Sequence, residues 1–281
     1  MTAYIFPGQG SQCKGMGGSL FDEFPEMVEK TDAVLGYSIK TLCLEDPQQQ
    51  LNQTQYTQPA LYVVNTLSYL KKQMMGQSPD IVAGHSLGEY NALLAANVFD
   101  FETGLKLVKR RGELMSQANG GGMAAVVGLK TSQIESSLQQ SGLANITIAN
   151  YNSHTQMVLS GPKYEIDSTQ PLFENAGAIL FMPLKVSGAF HSAYMQPAQQ
   201  QFESYLKQFH FSAPTIPVIA NLHAKPYQTS DIILNLANQI TQPVRWTAII
   251  EHLLTQGEST FEEIGPGQVL TGLIRRIRIG Q

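Results

Sequence analysis

A chain of 281 residues with 43% hydrophobic residues can bury a large core, which excludes a disordered chain and allows one large domain or a domain with a smaller insert. A formal net charge of −4 argues against a general nucleic-acid binder, which needs a basic surface to displace counterions. Two cysteines, Cys13 and Cys43, are too few and too far apart for a zinc site or a disulfide framework, so no metal centre is expected and a reducing compartment is the simpler reading.

The first residues, Met1 to Phe6, lack a basic segment followed by a long apolar run, and no apolar run approaches the ~20 residues needed to cross a bilayer. The expectation is a soluble cytoplasmic protein with no membrane contact. Tyr4-Ile5-Phe6 reads as a short buried strand, stopped by Pro7-Gly8-Gln9-Gly10-Ser11-Gln12, a tight loop whose backbone N–H groups can point at a ligand. Helices are expected over 20–35 and 57–75; in the second, Leu61, Val64, Leu67 and Leu70 recur at helical spacing.

A strand over 80–84 then enters Gly84-His85-Ser86-Leu87-Gly88, and 87–96 is rich in helix formers. A strand that turns sharply into a helix forces its corner residue into a strained conformation and needs small neighbours on both sides. Such a corner lifts the Ser86 hydroxyl out of the sheet and puts the next N–H at a helix N-terminus, where it favours an oxyanion. The near-continuous apolarity after Ser86 predicts a buried helix.

Asp100 or Thr103 caps the next predicted helix, 101–117. Leu105, Val108, Arg111 and Met115 fall at steps of three, three and four, so Arg111 belongs to the inward face while Lys106, Lys109, Arg110 and Glu113 lie elsewhere. A buried guanidinium requires an anionic partner, either an internal acidic residue or the anionic end of a substrate.

Gly120-Gly121-Gly122 marks a break. Beyond it, strands are expected over 123–129, 146–149 and 157–159, with helices over 131–140 and 164–175, a pattern that fits a small α+β insert ending near Leu184. Asn150 and Asn152 fall between two of these strands and read as turn residues or as lining for a cleft between domains. Val186-Ser187-Gly188-Ala189-Phe190-His191-Ser192 follows, a loop pressed against something with His191 at its end; the other five histidines lack such a setting. A helix over 199–209, a strand over 217–221, a helix from Trp246 to about Leu254, a strand and glycine turn at Glu262 to Gly267, and a last helix or strand with Arg275, Arg276 and Arg278 complete the chain.

Taken together, these motifs closely resemble one family, the malonyl-CoA:acyl carrier protein transacylases, which includes the acyltransferases of polyketide synthases. The resemblance spans essentially the whole chain. It rests on Phe6 to Gln12, Gly84 to Tyr90, Arg111-Gly112-Glu113-Leu114-Met115, Ala189-Phe190-His191-Ser192, Pro243-Val244-x-Trp246 and Gly265-Pro266-Gly267, all in the family's order. The Gly-Ala-Phe-His-Ser form looks most like the discrete acyltransferases that serve polyketide assembly lines in trans.

The resemblance implies an α/β-hydrolase-like large domain, residues 1–122 and 187–281, with an inserted ferredoxin-like α+β small domain, residues 123–186, and an active site between them. It implies Ser86 as nucleophile, His191 as general base, the backbone N–H groups of Gln9 and Leu87 as oxyanion hole, and Arg111 as holder of the malonyl carboxylate. Gln239, counted back from Pro243 and Trp246, would orient His191 through its main-chain carbonyl, and Asn152 and Phe190 would line the cleft. Phe190 and Leu87 resemble malonyl-selective members. Malonyl-CoA is then the substrate, no cofactor is bound, and the partner is a phosphopantetheinylated acyl carrier protein, docked by basic residues at 275–278 or at Lys71 and Lys72. A malonyl transacylase of fatty-acid synthesis is the near alternative. A hydrolase of the same fold would share Ser86 and His191 but has no use for Arg111, and a catalytically dead docking subunit would not need every catalytic position filled.

Overall fold

The computed structural model describes residues 1–257 and 260–280. In chain order the elements are β1 (Thr2–Phe6), α1 (Leu20–Glu23), α2 (Pro25–Leu35), α3 (Ile39–Leu44), α4 (Thr54–Met74), β2 (Ile81–Gly84), α5 (Gly88–Ala95), α6 (Phe101–Ser116) and β3 (Gly121–Val127). They continue with α7 (Thr131–Ser141), β4 (Thr147–Ser153), β5 (Gln156–Pro162), α8 (Lys163–Ser168), α9 (Gln170–Asn175) and β6 (Leu180–Pro183). The last are α10 (Gln196–Leu206), β7 (Val218–Ile219), α11 (Ile232–Asn238), α12 (Trp246–Thr255), β8 (Thr260–Glu263) and α13 (Val269–Arg278).

The first sheet has the order β7-β2-β1-β8, with all pairings parallel. Parallel strands are covered on both faces, so β1 and β2 are buried along nearly their whole length. Side chains alternate across the sheet. Tyr4, Phe6 and Val82 share a core with Leu61, Leu67 and Val108 of α4 and α6, whereas Ala3, Ile5 and Ala83 meet Trp246, Ile249 and Ile274 of α12 and α13. Helices on the two faces of a parallel sheet make the large α/β-hydrolase-like unit.

The second sheet is antiparallel, with the order β4-β5-β3-β6. The run β3-α7-β4-β5-α8/α9-β6 is the β-α-β-β-α-β arrangement of ferredoxin-like units. One face packs Val126, Ile148 and Leu159 against Ile134 and Phe173 of the helices. The opposite face, with Met123, Ala125 and Val158, turns toward the C-terminal ends of β1 and β2 and walls the cavity there.

Several expected elements differ. The helix over 20–35 is broken between Glu23 and Pro25, and that over 164–175 between Ser168 and Gln170, beside Pro171; proline opens a new helical turn but cannot continue one. The glycine break at 120–122 gives way at once to strand, since Gly121 and Gly122 are the first residues of β3. Asn150 and Asn152 are not turn residues: β4 runs through both, with irregular register at Ile148/Asn150 and Tyr151/Ser153. These irregularities turn both asparagines into buried positions, 6% and 8% exposed. The short helices α3 and α11 and the strand β6 have no counterpart in the sequence expectations, and the basic C-terminal segment is a helix.

Candidate active site

The corner between β2 and α5 is as tight as its composition predicts. Ser86 has a φ of 50°, the left-handed region that a non-glycine residue adopts only under constraint. A Cβ on Gly84 would lie 2.0 Å from the carbonyl of Gly88, and one on Gly88 would lie 2.0 Å from the Phe6 carbonyl oxygen. The Gly-x-Ser-x-Gly pattern therefore records two backbone contacts, one within the corner and one against the end of β1.

Ser86 Oγ lies 2.8 Å from His191 Nε2. His191 Nδ1 faces two main-chain carbonyls, Gln239 O at 2.7 Å and Gln242 O at 3.1 Å. Two acceptors at Nδ1 place the proton there, which leaves Nε2 to accept from the serine hydroxyl. Burial, followed by the charge of Arg111, holds His191 down to about 3, against the pull of the two carbonyls. The resting imidazole is thus neutral.

Arg111 projects inward from α6 and is 1% exposed. Its Nη1 donates to Gln58 Oε1 at 2.7 Å; its Nη2 donates to Gln239 Oε1 at 2.7 Å and to Ser86 Oγ at 3.2 Å. The guanidinium carbon lies 5.7 Å from the Tyr90 ring centroid. Burial draws its pKa down, while Tyr90 and Glu89 hold it up. Among the described residues its hydrogen-bond partners are neutral amides and a hydroxyl, not a carboxylate. Of the two partners open at the sequence level, an internal ion pair is therefore excluded by the contacts found.

The amides of Gln9 and Leu87 have no hydrogen-bond acceptor among the described residues. Both residues line a cavity of about 250 Å³ together with Ser86, His191 and Arg111. A Cβ on Gly8 would lie 2.4 Å from the His85 oxygen and 3.6 Å from the Leu87 nitrogen, so Pro7-Gly8-Gln9 presses directly on the serine corner. Asn152 and Phe190 also line the cavity. Asn152 Oδ1 is 2.9 Å from His85 Nε2, which makes His85 part of the site despite its plain sequence setting. The remaining histidines, Cys13 and Cys43 do not line this cavity.

Three residues escaped the sequence reading: Gln58, Glu89 and Asn221. For Glu89 a signal existed, since a carboxylate in a helix expected to be buried needs partners. Asn221 Oδ1 accepts from Ser86 N at 2.7 Å, and its own N donates to Glu89 Oε1 at 2.7 Å. The expected docking groups separate. Leu270 and Leu273 line the cavity and Arg276 bonds to Gln156, another lining residue, so α13 borders the mouth. Lys71 and Lys72 pair with Glu23 and Glu262 in the last turn of α4. Thr54, at the start of that helix, is the residue that touches Gln9; Lys71 lies roughly 25 Å further along it. These lysines are remote from the site.

A serine on a strained corner, a neutral imidazole beside it and two amides without acceptors among the described residues share one cavity, an arrangement suited to acyl transfer. The chain belongs to the acyl transferase family: the model of the acyl transferase domain matches residues 3–277. It is 58% identical over 280 residues to the polyketide biosynthesis malonyl CoA-acyl carrier protein transacylase BaeC of Bacillus velezensis, covering 99% of this chain and 97% of that one. The crystal structure of malonyl CoA-acyl carrier protein transacylase from Burkholderia pseudomallei superposes with a TM-score of 0.97 at 52% identity, over 100% of this chain and 99% of that one. A malonyl-transacylase in complex with its type II PKS acyl-carrier protein superposes with a TM-score of 0.94 at 36% identity, over 99% and 93% of the two chains. Among the described residues no helix is long and apolar enough to cross a membrane, and no cluster of His, Cys, Asp and Glu could hold a metal.

Proposed function

We propose that this chain moves a malonyl group from malonyl-CoA, through an ester on Ser86, to the phosphopantetheine thiol of an acyl carrier protein that feeds polyketide assembly. The observation that carries this reading is Arg111, a buried cation with neutral partners, 3.2 Å from Ser86 Oγ. A guanidinium so placed suits an acyl group with a second, free carboxylate.

In the first half-reaction His191 Nε2 takes the Ser86 proton as Oγ attacks the thioester carbonyl. The N–H groups of Gln9 and Leu87 receive the developing oxyanion, where one well-placed donor is worth roughly 3 kcal/mol. The C–S bond breaks, the imidazolium returns its proton to the sulfur, and CoA leaves as the thiol. In the second half-reaction the carrier-protein thiol gives its proton to His191 and attacks the ester. Ser86 then leaves with that proton. The Gln239 carbonyl keeps the imidazole oriented through both steps. The reaction needs no bound cofactor, because the thioester carries its own activation.

We assign a large domain, 1–122 and 187–281, and a small domain, 123–186, on the two sheets that flank the cavity, although β3 already begins at Gly121. Asn152 and Phe190 are its lining on either side. Arg275 and Arg276, exposed on α13 beside the mouth, offer positive charge to an acidic carrier protein. CoA chemistry and two free cysteines suit a cytoplasmic setting.

The test is intact-mass detection of the enzyme after exposure to a mixture of malonyl-, methylmalonyl-, succinyl- and acetyl-CoA, followed by addition of carrier protein. Malonyl-enzyme should accumulate and discharge onto the carrier. Ser86→Ala should show no adduct. Adduct lost to water at the same rate with and without carrier would identify a hydrolase instead.

A further inference from the structure

Gln239 enters the mechanism through its main chain, yet its side chain is as fully engaged. Its amide is 1% exposed. Nε2 donates to the Ser86 carbonyl at 2.9 Å and to Glu89 Oε2, and Oε1 accepts from Arg111 Nη2. Both N–H groups and the oxygen of this amide are thus engaged, and only one of its two flips satisfies all three contacts. Ionised Glu89 fixes that flip, because a carboxylate can only accept.

The second carboxylate oxygen works on the other side of the corner. Glu89 Oε1 accepts from Asn221 N, and Asn221 Oδ1 accepts from Ser86 N. Asn221 Nδ2 also donates to Gly84 O. The backbone N–H and C=O of Ser86, the residue with φ of 50°, are therefore each held by a side-chain amide, and one buried carboxylate holds both residues, Gln239 by its side-chain amide and Asn221 by its main-chain N–H. Burial pushes the Glu89 carboxyl up to about 7; the Asn221 and Gln239 donors, the nearby Tyr227 hydroxyl and Arg111 oppose this.

We propose that Glu89 is a positioning residue for the oxyanion peptide, acting through the side chain of Gln239 and, by its hold on the Asn221 main chain, through Asn221. In a trans peptide the C=O and the following N–H point in opposite directions. The Ser86 carbonyl and the Leu87 N–H belong to one peptide unit, so drawing the carbonyl toward Gln239 aims the Leu87 N–H into the cavity. The helix start supplies a second hold, Glu89 N to Ser86 O at 3.1 Å, but an i to i+3 turn leaves the carbonyl free to tilt. The Gln239 amide sets the direction, and the same amide couples it to Arg111. Misaligned, the Leu87 donor loses part of its hold on the developing negative charge.

This inference rests on acyl transfer at Ser86 but not on the identity of the acyl group, so its test uses p-nitrophenyl acetate, a neutral activated ester. At pH 8, acetylation of Ser86 is followed by nitrophenolate release and intact mass in wild type, Glu89→Gln, Gln239→Met and the double variant. Glu89→Gln keeps size and shape but sets an N–H₂ against either the Asn221 N–H or the Gln239 amide. Gln239→Met keeps the main-chain carbonyl on His191 and removes the amide.

Each single variant should acylate about 10- to 100-fold more slowly, through kcat more than through KM, with near-ultraviolet circular dichroism unchanged. The double variant should lose less than the product of the two single losses, because Gln239 is one of the two arms through which Glu89 acts. In Glu89→Gln, malonyl- and acetyl-CoA should lose rate by the same factor, since the oxyanion is common to both. A wild-type rate in Glu89→Gln, losses that multiply in the double variant, or a loss confined to malonyl-CoA would overturn the proposal. If Glu89→Gln does not fold, Gln239→Met decides alone: a wild-type acylation rate refutes the role and the stated loss supports it. Because the probe needs neither malonate nor carrier protein, failure of malonyl transfer and failure of this inference read out separately.

Discussion

Replacing Arg111 with alanine tests the reading of the site most directly. The guanidinium is buried, and Gln58, Gln239 and Ser86 satisfy part of it without neutralising it. A malonyl group brings a carboxylate into that setting and forms a desolvated charge pair. Removing one partner of such a pair leaves the other buried and uncompensated, at a cost of about 3 to 5 kcal/mol. The lower figure corresponds to a loss of roughly 150-fold in kcat/KM for malonyl-CoA. An acetyl group brings no carboxylate, so it loses only what the hydrogen bond from Arg111 to Ser86 Oγ contributes, a factor of about ten or less. The assay is the rate of acyl-enzyme formation from malonyl-CoA and acetyl-CoA, followed in parallel by quenched-flow mass spectrometry. Equal losses for the two donors would remove the carboxylate-holding role and leave Arg111 as a support for the serine alone.

Reversing charge at the mouth, with Arg275→Glu and Arg276→Glu together, should raise KM for carrier protein about tenfold while self-acylation from malonyl-CoA stays unchanged; unaltered carrier kinetics would count against that surface. Gly88→Ala should lower the thermal midpoint by several degrees or prevent folding, because its Cβ would meet the Phe6 carbonyl; a wild-type melt would contradict the close approach at the corner. In the pH dependence of stability two groups oppose each other. Imidazole titrates near 6.5 in the unfolded chain and about 3 in the fold, so the His191 contribution is whole above 6.5 and is lost as pH falls toward 3. Glu89, lifted from 4.5 to about 7, contributes fully below 4.5 and less as pH rises through 7. His191→Leu should therefore lose less thermal stability than wild type between pH 6.5 and 4.5, and a parallel fall in both would refute the shift at this histidine.

Local signals carried much of the site. Ser86 is marked by its two glycines, Arg111 by its place in the inward register of α6, and His191 by the small and aromatic residues before it. What the chain does not disclose is pairing over distance. Gln58 reaches Arg111 across 53 positions, and Glu89 reaches Gln239 across 150. No periodicity links such residues, because their meeting depends on how two sheets and their helices close. Asn150 and Asn152 show the opposite failure. Asparagine is disfavoured in strands, and only the irregular register of β4 and its burial against the cavity override that preference.

The edge of β4 carries one more consequence. Val244 N donates to Ala149 O, and Tyr151 N donates to Val244 O, each at 2.9 Å. Val244 stands two residues after Gln242, whose carbonyl faces His191. The two lobes are thus stitched together along the side of the cleft that supports the base. The backbone that supports the base is therefore continuous with the edge of the second sheet, so the seating of β4 bears directly on the orientation of His191.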